Sequence, residues 1–98
     1  MPSPSPYTPA TKATLSVTGT SSHASLGTQG TTLRISNAGT NPVFVRWGAT
    51  TQTAVVTDFA VLAGESVNVS VQDDALDVGA IAGTGTNPVY VSRGYGGL

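Results

Sequence analysis

Alternation of apolar and polar residues is the dominant pattern along the chain. It runs through residues 14–18, 32–36 and 66–72, as expected for strands with one buried and one solvated face. No segment repeats apolar residues at helical spacing over the roughly ten positions that a helix needs. The pattern therefore predicts an all-β protein. We expect a single antiparallel β-sandwich of about seven to eight short strands, either a jelly roll or an immunoglobulin-like sandwich.

The same alternation predicts which side chains form the core. Successive strand residues point to opposite faces, so every second residue of a half-buried strand turns inward. The predicted inward set is Leu15, Val17, Leu33, Ile35, Val43, Val45, Trp47, Val67, Val69, Val71, Val89 and Val91.

One short motif occurs twice. Residues 39–45 have the sequence GTNPVFV, and residues 85–91 have GTNPVYV. Gly and Asn favour turns, and Pro is tolerated at the first residue of a strand because it lacks an N–H donor. We interpret each copy as the return limb of a β-hairpin. The predicted partner strands are residues 32–37 for the first copy and residues 77–82 for the second.

Proline content divides the chain into two parts. Residues 1–12 form a Pro-rich, extended N-terminal arm, because four of the six prolines lie within the first ten residues. Such a segment disfavours helix and central-strand pairing. It is either a disordered tail or a strap that orders against a neighbouring subunit. Residues 13–98 form the β-sandwich domain, which ends in a Gly-rich tail.

Charge and cysteine content exclude several kinds of function. The chain has 4 Lys and Arg residues against 5 Asp and Glu residues, and it has no cysteine. We therefore expect no nucleic-acid partner, no thiolate metal site and no cofactor. The N-terminal residues lack the basic and apolar regions of a secretory signal, and no apolar run approaches the roughly 18 residues of a membrane span. We expect no membrane partner.

Few residues could carry catalytic chemistry. His23 could join Ser22 or Ser25 and either Asp58 or Asp73 in a Ser-His-Asp arrangement, but no G-x-S-x-G elbow accompanies it. The acidic cluster at residues 73–77 lacks the Gly and Glu positions of a calcium loop and is typical of an inter-strand turn. We therefore expect a protein that is not an enzyme.

Two aromatic residues stand at equivalent positions of the repeat. Phe44 and Tyr90 have the parity opposite to the predicted core residues, which places their rings on an outer face. Such rings could contact a partner protein, lie under a loop of the same chain, or stack on a sugar.

Four segments together resemble a known kind of protein. Residues 33–48, 58–65, 78–85 and 89–96 contain the turns SNAGTNP, LAGE and AGTG and the end YVSRGYG. Over roughly residues 30 to 96, the chain is similar to the short β-sandwich virion proteins of tailed bacteriophages. The resemblance implies a structural protein without an active site. In such proteins the most frequent role is capsid decoration, also called cement.

The resemblance sets the expected function. We expect a capsid decoration protein that is made in the host cytoplasm, lies on the virion surface, forms a homotrimer and stabilises the head by bridging major capsid subunits. The candidate partner-binding residues are Pro4, Pro6, Tyr7, Pro9, Phe44, Arg46, Tyr90 and Tyr95. Two alternatives stay open: a tail, fibre or head-tail accessory protein, and a carbohydrate-binding module with Tyr90, Trp47 or Phe44 as its stacking platform.

Overall fold

The computed structural model describes residues 7–72 and 74–97, and these residues form strands, turns and loops without a helix. Consequently, no helix in this part of the chain could cross a membrane. The strands are β1 (Thr8–Val17), β2 (Ser22–Ser25), β3 (Thr32–Asn37), β4 (Val43–Gly48), β5 (Phe59–Val61), β6 (Ser66–Ser70), β7 (Asp77–Ala82) and β8 (Asn87–Tyr95). The prediction of an all-β fold is confirmed.

The strands form two antiparallel sheets of four strands each. The first, sheet A, has the order β1-β8-β3-β6, and the second, sheet B, has the order β2-β7-β4-β5. Seven connections join the strands, and only the one between β4 and β5 stays within a sheet. This strand order is that of a jelly roll, and it decides between the two sandwich topologies that alternation allows.

The two predicted hairpins are wrong. Strand β3 lies in sheet A and β4 in sheet B, while β7 lies in sheet B and β8 in sheet A. Each copy of the GTNP motif is therefore an arch that carries the chain from one sheet to the other. The strands instead pair between the copies, β3 with β8 and β4 with β7. Alternation is the same in a hairpin and in an arch, so the sequence pattern did not separate them.

The core lies between the sheets and includes most of the predicted inward residues. All of the predicted set are buried except three that are partly buried and pack against the core: Trp47, Val67 and Val69. The prediction missed Leu26, Val61 and the small apolar residues of β7. Strand β7 is buried on both faces because residues 49–54 cross its outer face, where a Cβ at Gly79 would lie 2.6 Å from the Gln52 carbonyl oxygen.

Strand β1 begins earlier than predicted. It starts at Thr8 and pairs with β8 from the Thr8–Tyr95 pair onwards, so the predicted boundary between arm and sandwich at residue 12 falls inside a strand. Pro9 is accommodated because β1 is an edge strand and its register shifts between Pro9 and Thr11. Edge strands and bulges are the places in a sheet where a missing N–H is tolerated.

Candidate functional site

Phe44 and Tyr90 lie on opposite sides of the sandwich. Phe44 projects from β4 of sheet B and Tyr90 from β8 of sheet A, each between buried valines on its own strand. Phe44 is partly buried, whereas Tyr90 is 51% exposed. The two sheets pack through their inner faces, so the outer faces point away from each other. The hypothesis that Phe44 and Tyr90 share one contact face is wrong; each alone stays a candidate.

Tyr7 and Pro9 lie against the domain itself. The Tyr7 hydroxyl donates a hydrogen bond to Ser92 Oγ at 2.8 Å, and the Arg34 guanidinium lies 5.9 Å from the centre of its ring. Pro9 faces Gly94 in the register of β1 with β8. The candidate contacts Pro4 and Pro6 lie outside the described residues. Tyr7 therefore lies on sheet A of its own chain, and Pro9 is part of that sheet.

Tyr95 stands at the end of β8 and is 47% exposed. Its hydroxyl donates to Gln29 Oε1 at 3.0 Å. This bond ties the last residue of the strand to the loop between β2 and β3. Half of the ring surface is left free for a partner.

Arg46 forms an ion pair on the outer face of sheet B. Its Nε lies 3.1 Å from Asp58 Oδ2, and its Nη2 lies 3.1 Å from Asp58 Oδ1. The same carboxylate accepts the Val55 N–H at 2.8 Å. Arg46 thus binds both oxygens of the Asp58 carboxylate, and this carboxylate stabilises the turn before β5. The Arg46 side chain is still half exposed.

A strip of exposed apolar side chains runs along the free edge of sheet B. We call Val55, Val56, Phe59 and Leu62 the β5 strip; each is about half exposed, from 46% to 55%. Among the described strands, only β4 pairs with β5, so the other edge of β5 is open. Phe59 also packs edge-on against Trp47, with ring centres 6.1 Å apart. The four exposed apolar residues thus lie close together in the chain, in the turn before β5, in β5 itself and directly after it.

His23 contacts Asp77, which is neither of the two aspartates considered as possible triad partners. Its Nδ1 lies 3.2 Å from Asp77 Oδ1, whereas Asp58 pairs with Arg46 and Asp73 lies outside the described residues. Ser22 Oγ contacts the Ser16 carbonyl oxygen at 3.5 Å. The formally possible pairing of His23 with Asp58 is therefore not present. Asp77 has a structural contact as well, because its Oδ2 accepts the Gln52 N–H at 2.8 Å and fixes the loop over β7.

The acidic cluster is split by the fold. Asp77 is buried against His23 and Gln52, whereas Asp74 is exposed. Within residues 7–72 and 74–97, no three His, Cys, Asp or Glu residues come together as they would around a metal ion.

Sequence reasoning missed the role of Arg93. The residue is fully buried at an inward position of β8, at the end of the sandwich. Its guanidinium donates to four backbone carbonyl oxygens, those of Gly27, Gly30, Gln72 and Ala75, at 2.7 to 3.1 Å. The one available signal was its parity, which matches that of Val89 and Val91.

The chain is similar to solved structures but matches no protein family. No family model and no curated protein matches the chain. A de novo designed double-stranded β-helix solved by NMR is 20% identical, with a TM-score of 0.49 over 86% of this chain and 95% of the design. HEPD of Streptomyces albus, solved with 2-hydroxyethylphosphonate and Fe(II), is also 20% identical, with a TM-score of 0.48 over 85% of this chain. The chain spans 18% of the HEPD chain. The class that the strand order defines is an eight-stranded jelly-roll β-sandwich.

Proposed function

We propose that this protein is a structural protein of a bacteriophage virion that decorates the capsid and binds major capsid subunits through the β5 strip. The observation that carries the proposal is the position of the strip, which combines four half-exposed apolar side chains with an unpaired strand edge. A group of exposed apolar side chains on a protein surface is typical of a site that a partner covers. We take the major capsid protein as the partner because the sequence resembles phage β-sandwich proteins, which most often decorate capsids.

The open edge of β5 adds a second kind of contact. Unpaired backbone N–H and C=O groups at a sheet edge form hydrogen bonds readily with an extended segment of another chain. Strand β5 is only three residues long, which limits uncontrolled pairing of one copy with another. A capsid segment that lies along β5 would bury Phe59 and Leu62 at the same time.

Binding at many equivalent positions would produce the stabilising effect. Each decoration subunit that spans two capsid subunits links them, and shallow contacts add up because the second contact is intramolecular. In the proposed role the protein is a homotrimer on the outer surface of the head and has no catalytic activity.

The decisive experiment measures copy number in separated virion parts. Purified virions are divided into heads and tails, and the protein is quantified in each by mass spectrometry. A constant, high ratio to the major capsid protein on heads supports decoration. A few copies on tails would instead support the tail, fibre or head-tail accessory alternative, and absence from both would overturn a virion role.

A binding experiment tests the strip itself. Capsids that lack the protein are incubated with the wild-type protein, with Phe59→Ser and with Tyr90→Ser. Phe59 and Tyr90 are similarly exposed, at 46% and 51%, but belong to different sheets. We expect Phe59→Ser to lower capsid occupancy and Tyr90→Ser to leave it unchanged. The reverse result would move the capsid contact to the outer face of sheet A and overturn the assignment of the strip.

A further inference from the structure

The outer face of sheet A contains a groove that the capsid role does not use. Its volume is about 410 Å³. It is lined by the outward side chains of three neighbouring strands, namely Lys12, Thr14, Arg34, Ser36, Tyr90 and Ser92. Residues 49–54 cross the outer face of β7 in sheet B. Among the described residues, Tyr7 lies beside the groove at Arg34 and Ser92, and the end of the groove at Tyr90 is exposed.

The strand register arranges the groove in two rows. Ser92 on the central strand β8 faces Lys12 on one side and Arg34 on the other. One step further along β8, Tyr90 faces Thr14 and Ser36. Neighbouring strands lie about 4.8 Å apart, so the backbones at Lys12 and Arg34 are about 10 Å apart. The groove therefore has two cations in one row and an aromatic ring between two hydroxyls in the next.

Among the described residues, Lys12 and Arg34 are the two cations with neither an acidic partner nor a set of carbonyl acceptors. Arg46 is paired with Asp58, and Arg93 is buried among carbonyl oxygens. Lys12 and Arg34 form no ion pair with any carboxylate of the described residues. The chain has only 4 Lys and Arg residues, so half of its formal positive charge lines one face.

Arg34 is held in place by its neighbours. Its guanidinium lies over the Tyr7 ring at 5.9 Å, and the Tyr7 hydroxyl is fixed by its bond to Ser92 Oγ at 2.8 Å. A cation that is positioned before binding loses less conformational freedom when an anion arrives.

Tyr90 offers the groove an apolar surface of defined shape. Its side chain is 51% exposed, and its neighbours on both sides carry hydroxyl groups. Sugars bind to such sites through C–H groups against the ring and through hydroxyls to polar neighbours. A neutral sugar site usually adds carboxylates or amides. The charged groups lining this groove are instead Lys12 and Arg34.

We propose that this groove binds an acidic saccharide, with a sugar ring on Tyr90 and its carboxylate between Lys12 and Arg34. The arrangement fits a carboxylated sugar better than an acidic peptide, because the cations stand beside a ring platform and the hydroxyls of Thr14 and Ser36. Exposed ion pairs contribute little free energy singly, so one sugar unit binds weakly and repeated units bind by multivalency. The inference goes beyond the capsid role and holds or fails independently of it, because the groove and the β5 strip lie on different sheets.

The test is an NMR titration of the isolated full-length protein with trigalacturonic acid. The neutral control ligand is the methyl ester of the same trisaccharide, and the peptide control is a short poly-glutamate. We expect amide shift changes limited to residues near 12–14, 34–36 and 90–92. Binding to the methyl ester should be weaker by about tenfold or more, since its esterified carboxyl groups are neutral. Equal binding of the methyl ester would overturn the anion site. Tighter binding of poly-glutamate would replace the saccharide by an acidic peptide, and unchanged spectra at millimolar ligand would exclude the site.

Matched variants test whether the saccharide binds in the groove or is attracted only by the positive charge of the protein. Arg34→Gln and Arg46→Gln each remove one positive charge, one inside the groove and one on sheet B. We expect Arg34→Gln to weaken binding by about tenfold and Arg46→Gln to leave it within about twofold. Equal weakening by both would show that only net charge matters and would overturn the proposal. Tyr90→Ser must also weaken saccharide binding, and an amide spectrum that matches the wild type away from residue 90 shows that this variant is folded.

Discussion

The Oδ1 atom of Asn87 accepts a hydrogen bond from the backbone N–H of Asn41 at 3.0 Å, and these two asparagines occupy the same position in the two copies of the GTNP motif. Asn87 Oδ1 also accepts from the Thr40 N–H at 3.2 Å, and its Nδ2 donates to the Thr84 carbonyl oxygen at 3.2 Å. The repeated segments are thus in direct contact. One buried side chain joins two of the six connections that cross between the sheets.

Replacing Asn87, whose side chain is fully buried, should destabilise the fold through the hydrogen bonds that it loses. Asn87→Ala leaves the N–H groups of Thr40 and Asn41 without their acceptor and removes a fully buried amide group, and we expect a loss of about 2–4 kcal/mol in the free energy of unfolding. The measurement is urea unfolding followed by tryptophan fluorescence. Thr86→Ala, an exposed neighbour in the same arch, is the control and should change stability by less than about 0.5 kcal/mol. Equal effects of the two variants would show that the Asn87 bonds contribute no stability.

The stability of the fold should depend on the guanidinium group of Arg93. Its guanidinium joins the loop that follows β2 to the loop that follows β6 by donating to four carbonyl oxygens. Arg93→Met keeps much of the volume but removes every donor, and we expect a loss of about 3–5 kcal/mol. Arg93→Lys should recover only part of it, because an ammonium has three donors in a different geometry.

The control for Arg93 is Arg46→Met. Arg46 forms a half-exposed ion pair with Asp58, so its loss should cost about 1 kcal/mol or less. Equilibrium unfolding in urea gives all of these values on one scale. An Arg93→Met variant as stable as Arg46→Met would contradict the role assigned to the buried guanidinium.

Asp77 should control the loop that covers β7. Its carboxylate accepts the Gln52 N–H at 2.8 Å and contacts His23. In Asp77→Ala the Gln52 amide loses its acceptor, and we expect its hydrogen exchange to accelerate by about tenfold or more, because exchange reports local opening. Asp74→Ala, which changes an exposed carboxylate of the same acidic cluster, should leave that amide unchanged. Exchange at Gln52 that does not respond to Asp77→Ala would rule out the clamp.

Gly94 should be required where β1 begins. A Cβ at Gly94 would overlap the Thr8 carbonyl group and lie 2.8 Å from Pro9 Cα, both of which are backbone atoms that cannot rotate away. Gly94→Ala should therefore displace the start of β1 and cost about 1–3 kcal/mol. Gly83→Ala is the matched control, since nothing lies within 4 Å of the added methyl group. Two-dimensional amide spectra locate the change, and shifts at Thr8 and Thr11 that stay at wild-type values would refute the clash.

The sequence determined where most strands lie and which of their side chains turn inward. Residues such as Leu33, Ile35, Val43 and Val45 are buried as their alternation predicts, because in a strand the period of two alone decides the face of each side chain. It also indicated a sandwich, since short half-buried strands have to pack against a second sheet.

Only the tertiary structure decided which strands are neighbours. Alternation sets the face of a strand but not its partner, so the GTNP segments fit a hairpin and an arch equally well. The start of β1 at Thr8 required Gly94 of β8 as its backbone neighbour. The buried position of Arg93 required carbonyl oxygens from two distant loops. In the same way, Lys12 and Arg34 form one groove because both are paired with Ser92 of β8, a proximity that arises from pairing between residues far apart in the chain.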